Sequence, residues 1–331
     1  MTSFSISLPA LLVLVAAAEI FLMFFLLRSG WASHIAVDVP NHRSLHTNVT
    51  PRIGGLVMMP MALLPAVFLL PEMRQMTIAA MTLCLLSFID DRYGLPVIAR
   101  LLAHSLVVLA VIVLGDLSAS PVALGVFVLL LLWGVNLFNF MDGADGLAGG
   151  MAAIGFLVYG IASWQGAPTI STLCLLLSVT ATGFLLFNFS PAKVFLGDAG
   201  SIPLGFLAVA IGLFGWHRQL WPAWFPILVF SPFFVDATVI LLKRLFKGER
   251  VWLAHRDHYY QRLVRMHMTH RRLALGEYAL MAATGLSALA MLRFERNVQF
   301  VGLLFWVSLY AVAMITIDSR WQRHQAKENK T

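Results

Sequence analysis

Apolar runs about as long as the hydrocarbon core of a bilayer is thick recur along nearly the whole chain, and they limit its fold more than any other feature. Eleven of them fall roughly at residues 8–28, 53–71, 77–89, 98–115, 122–141, 147–164, 170–188, 202–217, 223–242, 273–293 and 298–316. A helix rises 1.5 Å per residue, so about 17–22 residues cross a layer of ~30 Å, and lipid offers the backbone no hydrogen bonds outside the segment itself. The pattern predicts an all-α polytopic membrane protein of about 11 transmembrane helices, the third and eighth being short. With 60% hydrophobic and 12% charged residues among 331, a water-soluble globule with one core is excluded.

Orientation follows from Lys and Arg, which are retained on the cytoplasmic side during insertion. An outside N-terminus and a cytoplasmic C-terminus leave only Arg74, Arg218, Arg293 and Arg296 of the 23 basic residues on the outer side. The formal net charge of +7 then belongs to a face that meets anionic head groups, much of it between Lys243 and Arg272, and nucleic acid is not implied as a partner. Cys84 and Cys174 lie inside predicted spans without the spacing of a metal site or a disulfide framework, so they read as packing residues. The first apolar segment is too long for a signal-peptide core and lacks a basic leader, which makes it a retained anchor. Without a repeat or a long linker, residues 1–331 read as one integral-membrane domain with 317–331 as a cytoplasmic tail.

On this threading five polar clusters share the cytoplasmic side: Asp38 to His46, Asp90-Asp91-Arg92, Asn136 to Gly146, Asn188 to Ser201, and His255-Arg-Asp-His258. Every Asp except Asp116 falls in a cytoplasmic loop or close to its membrane boundary. Carboxylates at a membrane boundary are costly to desolvate and tend to pair with cations, metals or substrate. An Asp before a Gly often only makes a turn, which serves equally well for Asp142 or Asp145 taken alone. Together with Asn136 and Asn139, however, Asp142 recurs at every third residue, which brings amides and a carboxylate to one side of a helix end.

The other clusters carry related chemistry. Adjacent carboxylates such as Asp90 and Asp91 repel, and keeping both ionised requires a divalent cation or a nearby base. The run Lys193-Val-Phe-Leu-Gly-Asp-Ala-Gly-Ser201 can hold Mg²⁺ through oxygen while backbone amides and Lys193 meet phosphate; it is not a Walker A loop. His255, Arg256, His258 and Arg262 suit phosphate oxygens, and with no third His or Cys nearby an anion is favoured over zinc.

In order and wording these clusters resemble the polyprenyl-phosphate N-acetylhexosamine-1-phosphate transferase family, over about residues 38–263. The resemblance implies that a UDP-N-acetyl sugar and undecaprenyl phosphate are the substrates, in a bacterial inner (cytoplasmic) membrane, with Mg²⁺ or else Mn²⁺ as cofactor. By it, Asp90, Asp91 and Asp198 are the catalytic carboxylates, with Asp198 the main metal ligand and Asp91, or Asp90 in its place, the second ligand or the base that keeps the lipid phosphate ionised. Asn139, Asp142 and Asp145 match a nucleotide-sugar run, while Asn188 and Phe195 match positions that hold uridine, Phe195 by stacking. Lys193, Arg52 and Arg256 would offset the diphosphate charge, with His255 and His258 contacting the diphosphate or the sugar. The polyprenyl tail would follow a groove along the fifth and ninth spans.

Two departures matter: His258-Tyr-Tyr-Gln261 stands where the family often has His-x-His-His, so a three-histidine pocket is not carried over, and Arg100 stands where a lysine is expected. The wording around His258 resembles the branch that starts O-antigen or capsule repeats, whose sugars include 6-deoxy-hexosamines such as FucNAc or QuiNAc. Asp236, inside a span, reads equally as a satisfied polar contact or as part of the site. A secondary transporter of an anionic metabolite is the rival class, but it would place its site near the midplane, often between repeated halves. The oligomeric state stays open, a homodimer included.

Overall fold

The computed structural model describes residues 7–40, 48–114, 121–250 and 256–328. Its helices are α1 (Leu8–Arg28), α2 (Ala32–Ile35), α3 (Gly54–Leu69), α4 (Arg74–Tyr93), α5 (Val97–Leu114), α6 (Pro121–Met141), α7 (Leu147–Ser163), α8 (Pro168–Asn188), α9 (Asp198–His217), α10 (Trp224–Val229), α11 (Ser231–Phe246), α12 (Tyr259–Arg265), α13 (His270–Met291) and α14 (Arg296–Glu328). Six of these, α1, α6, α8, α9, α13 and α14, are long and apolar enough to cross a membrane. The chain is an all-α, multi-pass membrane protein, as its apolar runs require.

The helices depart from the apolar runs where charge or proline intervenes. The third run lengthens into the 20-residue α4, because the backbone ladder continues through Asp90, Asp91 and Arg92 to a left-handed Gly94. The eighth likewise begins four residues early, at Asp198, where a carboxylate suits the unpaired N–H groups of a helix start. The ninth divides at Phe230: Pro232 has no N–H to continue the ladder, and the Ser231 hydroxyl donates to the Leu228 carbonyl (2.7 Å). Residues 317–328 of the stretch expected as a tail continue α14, whose 33 residues run for about 50 Å.

Burial sets the order of packing. In the most apolar window of α9, 78% of residues are buried, against 17% for α1 and 6% for α14. α9 packs against α3, α4 and α6, while α7 and α8 pair beside it, α8 taking α1 and α7 taking α13. Several polar side chains inside this core donate to backbone carbonyls, as with Tyr159 Oη on that of Ala208 (3.1 Å) and Ser178 Oγ on that of Ala153 (2.7 Å). A small antiparallel pair, β1 (Val37–Asp38) and β2 (Thr50–Pro51), registers Val37 with Pro51 and Asp38 with Thr50. It delivers the chain to α3 beside the start of α9. Residues 41–47 of the first polar cluster lie outside the described residues.

Candidate active site

The segment entering α3 is threaded against the loop before α9. Phe195 N–H donates to the Pro51 carbonyl (2.8 Å), Gly54 N–H to that of Phe195 (2.9 Å) and Gly55 N–H to that of Leu196 (2.8 Å). Such close approach needs glycine: a Cβ on Gly55 would lie 2.1 Å from the Gly200 nitrogen. Gly197 takes φ +74°, which turns the chain into α9 with Asp198 as its first residue.

This threading puts Arg52 among carboxylates from three other segments. Its Nη2 donates to Asp198 Oδ1 (2.5 Å), and its Nη1 stands 3.3 Å from Asp91 Oδ1 on the last turn of α4. Asp142, just past the end of α6, is close enough to feel Arg52, Asp198 and Asp91, and the Gly197 backbone bonds to it. Burial pushes the Asp91 carboxyl up to about 7, Arg52 works against that, and Asp198 and Asp90 add to it. Asp142 is driven well above the usual carboxylate range, by burial first and by Asp198 and Asp91 as well, with Arg52 opposing. For Arg52 burial disfavours the charge, but Asp198, Asp91, Asp142 and Asp38 together hold its guanidinium above the ordinary range. One cation therefore serves several carboxylates, a surplus of acidic groups that burial and mutual repulsion hold toward protonation.

That surplus fits a divalent cation. Among the described residues no three His, Cys, Asp or Glu side chains form a ready ligand set. Mg²⁺ asks for less, since it binds hard oxygens and is commonly held by one or two carboxylates plus substrate phosphates. Asp91 and Asp198, which share Arg52, offer two such carboxylates. Asp90 is turned elsewhere: it accepts from Leu95 N–H (2.8 Å) and from Arg100 Nη1 (3.0 Å), so it fastens α4 to the start of α5.

The remaining sequence-derived residues divide between the cluster and its frame. Asn188 is buried, accepts from Gly146 N–H (2.9 Å) and donates to the Val194 carbonyl (2.8 Å), so it ties the loop before α7 to the loop before α9. Asp145 accepts from Ala192 N–H (3.2 Å), and His270 Nδ1 stands 3.3 Å from its Oδ1. Burial opposes the Asp145 charge, but His270, Ala192 N–H and the Ser190 hydroxyl outweigh it and hold the carboxyl below its usual range. Asn139, on the last turn of α6, is half-buried, and its carbonyl accepts from Asp142 N–H (3.4 Å). Phe195 is half-buried and Lys193 exposed on the loop before α9.

In the basic cluster, His255 lies outside the described residues, and Arg256 is partly exposed. His258 is buried, with its Nδ1 donating to Asp236 Oδ1 (3.1 Å) and its ring stacked on Phe140 (5.9 Å between centroids). Asp236 is thus a satisfied contact with a partner in the basic cluster. Sequence reasoning missed three supports of the glycine-rich turn: His270 on Asp145, Tyr260 Oη on the Phe140 carbonyl (3.0 Å) and Tyr278 Oη on that of Gly146 (2.8 Å). None has a local signal, since each partner lies far away in sequence.

An apolar cleft of about 310 Å³ opens between α6, α9, α10 and α11, lined by Phe127, Leu130, Trp133, Leu137, Val209 and Ile227 among others. On α6 its lining ends at Leu137, five residues before Asp142, and on α9 it begins at Ala208, ten residues after Asp198. It lies along the helices of the fifth and ninth apolar runs, where the lipid tail was expected.

A model of glycosyl transferase family 4 matches residues 73–215, which take in Asp90 through Asp198 but neither Arg52 nor His258. A probable undecaprenyl-phosphate N-acetylglucosaminyl 1-phosphate transferase of Bacillus subtilis is 27% identical over 302 residues, covering 85% of this chain and 82% of the relative. An undecaprenyl-phosphate alpha-N-acetylglucosaminyl 1-phosphate transferase of Yersinia pestis is 28% identical over 267 residues, 71% of each chain. A phospho-N-acetylmuramoyl-pentapeptide-transferase of Levilactobacillus brevis is 39% identical over 140 residues, 41% of this chain and 42% of the relative.

Proposed function

We propose that the chain, which matches a model of glycosyl transferase family 4 over residues 73–215 and aligns with its transferases over most of its length, belongs to that family and transfers an N-acetylhexosamine-1-phosphate from a UDP-sugar to undecaprenyl phosphate, releasing UMP. Its place is a bacterial inner membrane, crossed about 11 times with the N-terminus outside and the carboxylate cluster on the cytoplasmic face. The wording around His258 favours a 6-deoxy sugar such as FucNAc or QuiNAc and a role in starting O-antigen or capsule repeats. The observation that carries the reading is the meeting of Arg52 with Asp91, Asp198 and Asp142. A transporter would hold such groups near the midplane between repeated halves.

In the reaction, an oxygen of the lipid phosphate forms a bond to the β-phosphorus of the UDP-sugar. The bond from that phosphorus to the bridging oxygen breaks, and its electron pair leaves with UMP. Two anions must meet, so neutralising charge is the main demand on the site. Bound by Asp91 and Asp198, Mg²⁺ would supply Lewis-acid neutralisation of phosphate oxygens. Arg52 keeps those carboxylates together and brings positive charge to the same place. Asp90 serves by fixing the end of α4, so that Asp91 faces inward.

Asn139 and Asp142 meet the nucleotide sugar, with Phe195 stacking on uracil; Asp145 and Asn188 hold their loops in place. Lys193, Arg256, His255 and His258 complete the anion-binding side. The cleft between α6 and α9 to α11 takes a part of the tail beyond the first isoprene units, so the tail stays in apolar surroundings while its phosphate reaches the cluster. Little base is needed, since a phosphate monoester has its second pKa near ~6.

The test is UMP release by the purified protein with undecaprenyl phosphate, Mg²⁺ and a panel of UDP-N-acetyl sugars, beside Asp198→Asn. Lipid-dependent and Mg²⁺-dependent UMP from one sugar, abolished in the variant, is the expected result. No UMP from any sugar by folded protein would refute the reading.

A further inference from the structure

Asp236 lies on α11 in the ninth apolar run and is buried, where an isolated carboxylate is expensive. It is far from isolated. Its Oδ1 accepts from His258 Nδ1 (3.1 Å) and from Tyr259 N–H (3.0 Å), and its Oδ2 accepts from Tyr260 N–H (3.1 Å). The two backbone donors open α12, where the first N–H groups have no partner within the helix. A single carboxylate therefore caps α12 and grips the imidazole that precedes it.

The ring is fixed on its faces as well. It stacks on Phe140 with 28° between planes and on Tyr260 with 23°, and the Tyr260 hydroxyl donates to the Phe140 carbonyl (3.0 Å). Phe140 stands two residues before Asp142, so His258 is held against the end of α6 that leads into the carboxylate cluster. Asp236 on Nδ1, with Phe140 and Tyr260 on the two faces, thus sets the orientation of the ring.

We propose that Asp236 is a positioning residue for the transfer, acting through His258: it holds the ring by Nδ1 in the orientation in which the imidazole addresses the diphosphate. This rests on the transferase reading above. A carboxylate needed only to cap α12 would have no reason to bond the ring, and Tyr259 and Tyr260 N–H groups alone would be served by any short polar side chain.

The experiment is a double-mutant cycle on turnover, with melting temperature read in parallel, for the wild type, Asp236→Asn, His258→Asn, the double variant and Asp236→Glu. If Asp236 works through His258, each single substitution lowers kcat by about 10–100-fold and the double variant is no slower than His258→Asn. Asp236→Glu keeps the charge and recovers part of kcat, which also covers the case in which Asp236→Asn fails to fold. Multiplying effects in the double variant, full kcat in Asp236→Asn despite a lower melting temperature, or full activity in His258→Asn would each overturn the proposal while leaving the transferase in place. No lipid-dependent UMP from the wild type would instead overturn the transferase reading, and the proposal with it.

Discussion

Through Asp91, pH should reach the metal. Burial, Asp198 and Asp90 raise its carboxyl to about 7 although Arg52 opposes them, so a proton competes with a cation for the same oxygens near neutrality. The apparent dissociation constant for Mg²⁺ then scales as one plus ten to the power of the pKa minus the pH. That factor is about 1.1 at pH 8 and about 11 at pH 6, so Mg²⁺ should bind about tenfold more weakly at the lower pH. Calorimetric titration of Mg²⁺ into detergent-purified protein without lipid phosphate or sugar nucleotide reads this directly, free of substrate phosphates that titrate near ~6. Asp91→Asn has no such group, so its binding should be weaker at pH 8 and nearly flat to pH 6. Equal affinity of the wild type at both values, or an unchanged slope in Asp91→Asn, would refute the reasoning. A steeper slope than one proton allows would bring in Asp142, which is shifted the same way.

The same shift fixes the sign of a stability effect. The folded-state value lies above the ordinary 3.8, so the contribution of Asp91 is fully present below about 3.8 and is lost as pH rises through about 7. Added Mg²⁺ should restore it, and the rise in melting temperature on adding Mg²⁺ should grow from pH 5 to pH 8.

Arg52→Gln should lower kcat by about 10²–10³-fold yet tighten Mg²⁺ binding, since it removes the cation lodged between Asp91 and Asp198; kinetics and calorimetry on one preparation separate the two effects. Asn188→Ala strips partners from Gly146 N–H and the Val194 carbonyl, a loss of about 1–3 kcal/mol for each group left unpaired, visible as a lower melting temperature. Asn188→Asp keeps the acceptor alone and should fall between alanine and wild type. Leu130→Trp, which fills the apolar cleft, should raise KM for undecaprenyl phosphate about tenfold and leave KM for the sugar nucleotide unchanged.

The helical framework was legible because lipid makes composition and structure nearly one question: a segment that cannot bond to water must bond to itself. What hydropathy could not place were helix ends. Asp90 to Tyr93 and Asp198 to Ser201 read as loop because they are polar or small, but the backbone ladder is indifferent to side-chain polarity once the segment leaves hydrocarbon. The break at Phe230 carried a signal in Ser231-Pro232 that an unbroken hydrophobic window conceals. α2, α12 and the β1–β2 pair are too short to announce themselves by periodicity.

Within the site, residue types were legible and their division of labour was not. Neighbours in a helix point about 100° apart, so of Asp90 and Asp91 only one can face a given partner, and no local pattern says which. Arg52, 146 residues before Asp198, decides it: the chain entering α3 comes past the Asp91 side of α4, leaving Asp90 to Arg100. Asn188 shows the same limit, since a uridine contact and a strut between two loops ask for the same amide. Its bonds to Gly146 and Val194 make the strut visible only once both loops are in place. The carboxylates come from segments that share no sequence neighbourhood, and Asp91 and Asp142 are raised by burial and by repulsion within the cluster. Their chemistry is therefore a property of the assembled helix ends, which is why Asp91 near neutrality is the quantity on which the metal and the pH response both turn.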